Sequence, residues 1–117
     1  MIRRKNQRTC TQNANMRGGE GTVTIIAALE KDKGELRDKG RLFSTITLPP
    51  GASIGIHAHT GEMEAYLIIS GSGCYNDNGV ETTVNAGDVT YTAPGESHAI
   101  ANIGDQDLVL AALILYE

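Results

Sequence analysis

Positive charge is missing from the chain after residue 41. All ten Lys and Arg residues lie at or before Arg41, whereas residues 42–117 contain nine acidic residues and no Lys or Arg. Lys and Arg contacts with phosphate supply most of the affinity of proteins that bind nucleic acid. The composition therefore argues against nucleic acid as a partner. The basic residues at the amino terminus are expected to be solvated, or to pair with acidic groups of the same or a neighbouring subunit.

Long apolar runs and clustered cysteines are also missing. No stretch approaches the ~20 consecutive apolar residues of a membrane-spanning helix. The basic start is followed by polar residues, where a secretory signal would have its apolar segment. Only Cys10 and Cys74 are present, far apart and outside any CxxC pair. These absences predict a cytoplasmic protein with no membrane partner and two free thiols.

Glycine is abundant, with 14 residues that separate short segments suited to strands. Asn78-Gly79 predicts a tight hairpin turn, because both residues accept positive φ angles. Strand-like segments occur nine times, over Thr22–Leu29, Arg41–Leu48, Ile54–His59, Glu64–Ser70, Gly73–Tyr75, Glu81–Asn85, Val89–Thr92, His98–Asn102 and Leu108–Tyr116. Short strands between turns are typical of an all-β sandwich or barrel. We expect an amino-terminal arm over residues 1–21, one barrel domain over residues 22–117, and a charged surface loop at Glu30–Gly40.

The three histidines and one glutamate form a candidate metal site. His57 and His59 are two residues apart, so on a strand both side chains point to the same face. Glu64 begins the next strand, and a hairpin can bring its carboxylate beside the two imidazoles. His98, the remaining histidine, lies far along the chain. A mixed nitrogen and oxygen site of this kind favours Mn, Fe, Co, Ni, Cu or Zn over Mg or Ca.

These residues lie in a pattern that resembles the cupin superfamily. The first cupin motif, G-x5-H-x-H-x4-E-x6-G, is matched at Gly51, His57, His59, Glu64 and Gly71. The second motif, G-x5-P-x-G-x2-H-x3-N, is matched at Gly87, Gly95, His98 and Asn102, with Pro94 one position later than the motif proline. The resemblance covers residues 51–102 directly. It implies a double-stranded β-helix, or jelly-roll, barrel with one divalent transition metal per chain.

Several residues near the motifs are candidates for roles around the metal. Tyr66 shares strand parity with Glu64, so it is expected to line the cavity and to orient a ligand or donate a proton. Glu62 is expected to be a turn residue or a hydrogen-bond acceptor for a ligand, and less readily a ligand itself. The remaining predicted cavity-wall residues are Phe43, Thr45, Ile68 and Ile100.

Other polar residues have structural interpretations. Asn102 is expected to be a buried amide that bonds a neighbouring loop, and Asp88 a turn-stabilising acid. Cys74 is expected to be inert. Tyr75 and Tyr91 lie on nearby strands and fit the core, an interface or the pocket equally well.

The resemblance implies three classes of function. The first is a metal-dependent enzyme for a small polar molecule, of the dioxygenase, sugar isomerase or epimerase, or decarboxylase type. The second is a non-catalytic module that binds a metal or ligand, and the third is an inactive structural barrel. Oxalate-cleaving cupins carry an arginine three positions before the first histidine, where this chain has Ile54. Oxalate chemistry is therefore the enzymatic runner-up, and neutral or singly charged chelating molecules are expected to bind better than dianions. This expectation would be overturned if Arg17, Arg37 or Arg41 folded over the mouth of the cavity.

The last strand predicts a homodimer. Residues 108–115 are apolar on both faces, whereas a strand with one solvated face alternates apolar and polar residues. One face fills the barrel. The other is expected to be covered by the amino-terminal segment or by a second subunit, and the family resemblance favours the subunit.

Overall fold

The fold is built almost entirely from strands. The computed structural model describes residues 1–117. Its ten strands are β1 (Cys10–Ala14), β2 (Thr22–Leu29), β3 (Gly40–Leu48), β4 (Ser53–Ala58), β5 (Glu62–Ser70), β6 (Ser72–Asp77), β7 (Val80–Asn85), β8 (Val89–Thr92), β9 (Ser97–Ala101) and β10 (Leu108–Tyr116). All nine predicted segments form strands, and β1 is an addition that the sequence did not predict.

The strands form two antiparallel sheets that enclose one core. The larger sheet has the order β1-β2-β3-β10-β5-β8, and the smaller has the order β4-β9-β6-β7. Neighbours along the chain repeatedly lie in different sheets, which is the jelly-roll arrangement that the sequence predicts. Ile46, Ile68 and Leu110 of the larger sheet and Ile54 and Ile100 of the smaller sheet belong to one buried hydrophobic cluster. The all-β prediction is confirmed.

Local turn chemistry agrees with the sequence. Asp77 pairs with Val80, so Asn78 and Gly79 alone connect β6 to β7, with φ angles of 51° and 96°. Both values are positive, as a two-residue hairpin turn of this kind requires. The side chain of Asp88 accepts a hydrogen bond of 2.7 Å from the amide of Asn85, which confirms its predicted role.

The loop and the thiols also follow the predictions. Buried Asn102 donates a hydrogen bond of 2.8 Å to the carbonyl of Leu48, as expected of a loop-bonding amide. Cys10 and Cys74 are both free. Between Glu30 and Gly40 the only regular element is one 3-10 turn, Lys31–Lys33. This turn and two others, Lys5–Gln7 and Met16–Gly18, are the only helices, and none has the length or hydropathy to cross a membrane.

The amino-terminal residues extend the larger sheet. Strand β1 pairs with β2 over its whole length and forms the edge of that sheet. The guanidinium of Arg3 makes two hydrogen bonds with the Glu35 carboxylate, at 2.9 and 3.0 Å. Arg8 donates to the backbone carbonyls of Ala27 and Ile26. Arg3 thus pairs with an acidic group of the same chain, which is one of the two predicted roles of the basic residues. Because β1 pairs with β2, the arm is not a solvated tail.

Two residues of β3 that were predicted to line the cavity face outward instead. The inward side chains of this strand include Ile46 and Leu48, which are buried, so the residues of opposite parity face outward. Phe43 is 37% exposed, and the Thr45 hydroxyl accepts a hydrogen bond from Arg8 outside the barrel. The expectation that Phe43 and Thr45 line the cavity is therefore wrong. The apolar alternation through Ile46 and Leu48 was the sequence signal for the correct face.

The larger sheet presents an apolar surface away from the core. Leu113 lies between Phe43 and Ala65 in register, and Ala65 pairs with Tyr91. We call the outer apolar face the surface formed by Phe43, Ala65, Leu67, Val89, Tyr91, Ala111 and Leu113. Leu67 is 46% exposed and Tyr91 is 58% exposed. The amino-terminal arm therefore leaves this face exposed at these residues.

Candidate metal centre

A β-bulge in β4 aims the first two histidines into the barrel. Ile54 pairs with Ile100 and His57 with His98, so two residues of β4 face one residue of β9 between these pairs. A bulge shifts the parity of the residues that follow it. Ile54 and His57 therefore both point inward although they are three residues apart. His59 follows with the same orientation and is 2% exposed.

The four predicted residues converge at one point between the sheets. His59 Nε2 and His98 Nε2 each lie 2.9 Å from Glu64 Oε1 and 3.0 Å from each other. His57 Nε2 lies 3.1 Å from His98 Nε2 and 4.0 Å from Glu64 Oε1. All four donor atoms lie within 4.8 Å of one another, so this cluster is able to hold a metal ion.

The hydrogen bonds on the far side of each ring determine where the lone pairs point. His57 Nδ1 donates to the Gly55 carbonyl at 2.7 Å, and His59 Nδ1 donates to the Glu62 carboxylate at 2.6 Å. Both rings at neutral charge must then carry a bare Nε2. These two lone pairs face the carboxylate oxygen of Glu64 at close range. Such a donor set repels itself unless a cation lies at its centre, so the residues fit a divalent metal.

The third ring is held by hydroxyl groups. His98 Nδ1 lies 2.8 Å from the Tyr75 hydroxyl and 2.9 Å from Thr92 Oγ1, and all three residues are buried. A hydroxyl that accepts from Nδ1 leaves Nε2 of His98 bare as well. Tyr75 and Thr92 thus orient a candidate ligand, a role for which the sequence offers only their position on strands near the site.

Charges around the site keep the donor groups in the right protonation state. Burial lowers the pKa of His57, so its neutral, ligand-competent form is favoured at neutral pH. Hydrogen bonds from Arg41, and to a smaller extent from His59, lower the pKa of Glu62 to about 2. Arg41 contacts Glu62 with Nε and Nη2, each at 2.7 Å. Glu62 therefore connects Arg41 to the candidate ligand His59. This contact confirms the prediction that Glu62 is a hydrogen-bond acceptor.

A small cavity of about 130 Å³ opens beside the cluster. Its walls combine candidate ligands with apolar and basic side chains. They are Met16, Arg17, Ile25, Arg41, Leu42, Ile46, His57, His59, Glu64, Tyr66 and Ile114. Of the predicted walls, Tyr66 is confirmed, whereas Ile68 and Ile100 lie in the core away from this cavity.

Two arginines of the amino-terminal part lie at the cavity. Both Arg17 and Arg41 are among its lining residues, although residues 42–117 contain no Lys or Arg. The cavity therefore has fixed cations, from two of the three arginines that the sequence left as candidates. The sequence left this open because the two residues are 40 and 16 positions before His57 and only the tertiary structure brings them close.

Tyr66 lies against the cluster. It is 2% exposed, and its ring stacks on the His98 ring with 5.1 Å between centroids. Burial raises the pKa of its hydroxyl well above the usual value, so the group stays protonated at neutral pH. Tyr91, by contrast, faces outward and takes no part in the site.

Comparison with known proteins agrees with this architecture. The family model for the cupin domain matches residues 44–115. A protein of Thermotoga maritima named oxalate-binding protein is 44% identical over 115 residues, which is 98% of this chain and 93% of that protein.

Solved structures give the same result. A Thermotoga maritima structure described as a predicted oxalate decarboxylase matches with a TM-score of 0.93 and 43% identity, covering 100% of both chains. A double-stranded β-helix protein from Klebsiella pneumoniae matches with a TM-score of 0.68 over 79% of this chain and 75% of that one. At 24% identity the latter supports the fold alone. With the family model covering more than half of its residues and both cupin motifs converging on one site, this chain belongs to the cupin family.

Proposed function

We propose that this cupin binds one divalent transition metal through His57, His59, Glu64 and His98, and holds a small dicarboxylate such as oxalate at that metal. The observation that carries the proposal is the convergence of imidazole lone pairs on a carboxylate oxygen beside a small cavity. A bound metal would act as a Lewis acid toward the carboxylate oxygens that contact it.

The donor atoms lie close enough together for one ion to contact them. Transition-metal ions bind nitrogen and oxygen ligands at about 2.0 to 2.2 Å, so donors around one ion lie about 3 to 4 Å apart. The observed separations, from 2.9 Å to the 4.0 Å between His57 and Glu64, fall in this range. Such an ion would also accept the oxygen atoms of a small chelating ligand from the cavity side.

The size and charge of the cavity further restrict the class of ligand. A cavity of about 130 Å³ is well below the ~300 Å³ at which pockets for drug-sized ligands begin, so the ligand has few heavy atoms. This size argues against sugars and sugar phosphates. Arg17 and Arg41 make the cavity more positive than residues 42–117 alone would, so we propose that dianions bind better than the neutral or singly charged molecules expected from the motifs. The Thermotoga protein named for oxalate binding supports the same ligand class.

Enzymatic cleavage of the ligand is the second candidate function, and Tyr66 is the residue that favours it. Conversion of oxalate dianion and one proton to formate and carbon dioxide needs a proton donor near the substrate. Tyr66 has a protonated hydroxyl that faces Glu64 in the cavity wall. No other uncharged hydroxyl lines this cavity, so Tyr66 remains our candidate catalytic residue.

We further propose that the outer apolar face is covered by a second copy of the chain. None of its residues is charged, and Phe43, Leu67, Val89 and Tyr91 are all at least 37% exposed. A flat sheet face of this kind can pair with itself about a two-fold axis, so that the same residues meet from both subunits. This homodimer would leave the metal cavity, on the opposite side of the larger sheet, free for its ligand.

Metal content tests the ligand set. Purified protein is expected to hold about one transition metal ion per chain, and His57→Ala is expected to lose most of it. The barrel should stay folded because its hydrophobic cluster does not include His57. Elemental analysis with circular dichroism measures both properties. Ile56→Ala, an exposed neighbour on the same strand, is the control. Full occupancy in His57→Ala would show the assignment to be wrong.

Glu62 is expected to tune metal affinity without touching the metal. Glu62→Gln removes the charge that holds the Nδ1 proton of His59 and releases Arg41, so metal affinity should fall by about 10- to 100-fold. Competition with a chelator of known affinity measures the change. Glu81→Gln removes the same charge from an exposed position on β7 and should have no such effect. Equal affinities in the two variants would contradict the role of Glu62.

Oxalate binding tests the proposed function. Calorimetric titration of the metal-loaded protein should show binding of about one oxalate per metal, and the metal-free protein should show none, because the ligand gains most of its affinity by coordination. Assay of the same samples for formate separates binding from cleavage. If formate forms, Tyr66→Phe should abolish its release while oxalate still binds. Oxalate binding that persists without metal would refute the proposal.

The oligomeric state tests the outer apolar face. Light scattering at micromolar concentration should give twice the 12.4 kDa mass of the chain. Leu67→Glu should give a monomer, since it would bury a charge in the contact. Val80→Glu introduces the same residue at an exposed apolar position of the smaller sheet and should stay dimeric. A monomeric wild-type protein would disprove this assembly.

A further inference from the structure

We propose that Arg17 is the specificity-determining residue of this site: its guanidinium binds the charge of a dicarboxylate that coordinates the metal, and so selects dianions over less charged chelators of the same shape. The inference rests on the proposed function, which it deepens by assigning the anion preference to one residue of the amino-terminal arm.

The position of Arg17 places it over the candidate site. It lies in the single 3-10 turn Met16–Gly18 that connects β1 to β2, and it lines the cavity together with His57 and Tyr66. The same cavity is lined by the candidate ligands His59 and Glu64, so a ligand in it lies within reach of both the candidate metal centre and Arg17.

Arg17 is also free to bind a ligand. Carboxylates or backbone carbonyls accept hydrogen bonds from the guanidinium groups of three other arginines, Arg3, Arg8 and Arg41. In particular, Arg41 is occupied by Glu62 through both Nε and Nη2. Arg17 has no such partner in the chain and its side chain is exposed. It is thus the cavity cation whose whole guanidinium remains available, in the planar fork that matches a carboxylate.

Close backbone packing holds the Arg17 turn against the metal-binding strand. The carbonyl oxygen of Arg17 lies where a Cβ on Gly55 would be, so only glycine at this position of β4 lets the turn approach. Gly19 similarly lies against Ser53, with no room for a side chain. Arg17 itself has a φ of 54°, an uncommon conformation for a residue with a side chain. Packing of this kind fixes the point from which the guanidinium extends.

The segment of the barrel that carries the candidate metal ligands offers no substitute for this cation. Ile54, three positions before the first histidine, is 1% exposed and part of the hydrophobic cluster. The segment matched by the cupin model, residues 44–115, contains no Lys or Arg. An anion preference at this metal must therefore come from the amino-terminal part of the chain, outside the matched segment.

Paired ligands and paired arginine variants test the role of Arg17. The ligands are oxalate and oxamate, which have the same shape but differ by one negative charge, and calorimetry with the metal-loaded protein measures both affinities. Arg17→Gln should weaken oxalate binding by about 10- to 100-fold, as expected for the loss of a charge-assisted hydrogen bond. Oxamate should lose less, so the preference for oxalate should fall about tenfold. Arg17→Lys, which keeps the charge without the planar fork, should be intermediate.

Arg37→Gln is the matched control. Arg37 is exposed, has a φ of 53° and lies in the Glu30–Gly40 loop away from the cavity, so the variant makes the same change in net charge and backbone context. Its oxalate affinity should stay within about twofold of wild type. Metal content and melting temperature should be unchanged in both variants.

The outcomes separate the two proposals. Equal oxalate affinity in Arg17→Gln and Arg37→Gln, or an equal loss for oxalate and oxamate, would overturn the role of Arg17 and leave metal-dependent oxalate binding intact. Failure of the metal-loaded wild-type protein to bind oxalate would overturn both.

Discussion

The convergence of imidazole lone pairs on a buried carboxylate is the constraint that organises this barrel. Unpaired lone pairs about 3 Å apart in a buried site are unfavourable unless a cation joins them. The surrounding structure accepts this arrangement by directing each Nδ1 toward a separate partner: the Gly55 carbonyl, the Glu62 carboxylate and the hydroxyls near His98. The bulge in β4 belongs to the same arrangement, because it turns His57 inward beside a core residue.

The first 41 residues and the remainder of the chain carry opposite net charges, and the fold brings them together. Residues 42–117 supply nine of the 14 acidic residues and all three histidines, and residues 1–41 supply every Lys and Arg. Sheet pairing of β1, β2 and β3 brings Arg17 and Arg41 to the cavity. One of these cations supports the candidate ligand set through Glu62, and the other remains open to solvent at the cavity. Residues 42–117, which contain both cupin motifs, carry no fixed cation, so the motifs alone favour neutral or singly charged ligands.

The differences between the sequence-based predictions and the structure have three separate physical causes. Phe43 and Thr45 have the opposite parity to Ile46 and Leu48, and the apolar alternation of the whole strand determines which side is buried. Strand β1 was missed because its five residues are mostly polar and exposed, so its pairing with β2 leaves no hydrophobic pattern. The position of Arg17 depends on close backbone contact at two glycines, which no local periodicity reports.

The strand pattern, the hairpin at Asn78-Gly79 and the four clustered donor residues followed from the sequence by itself. These features rest on local chemistry: side-chain alternation, turn conformations and the spacing of ligating residues within motifs. The cavity size, the hydrogen bonds behind each histidine and the arginines at the cavity were decided only by the tertiary structure. They depend on contacts between residues distant along the chain, and strand register, bulges and backbone packing set those contacts together.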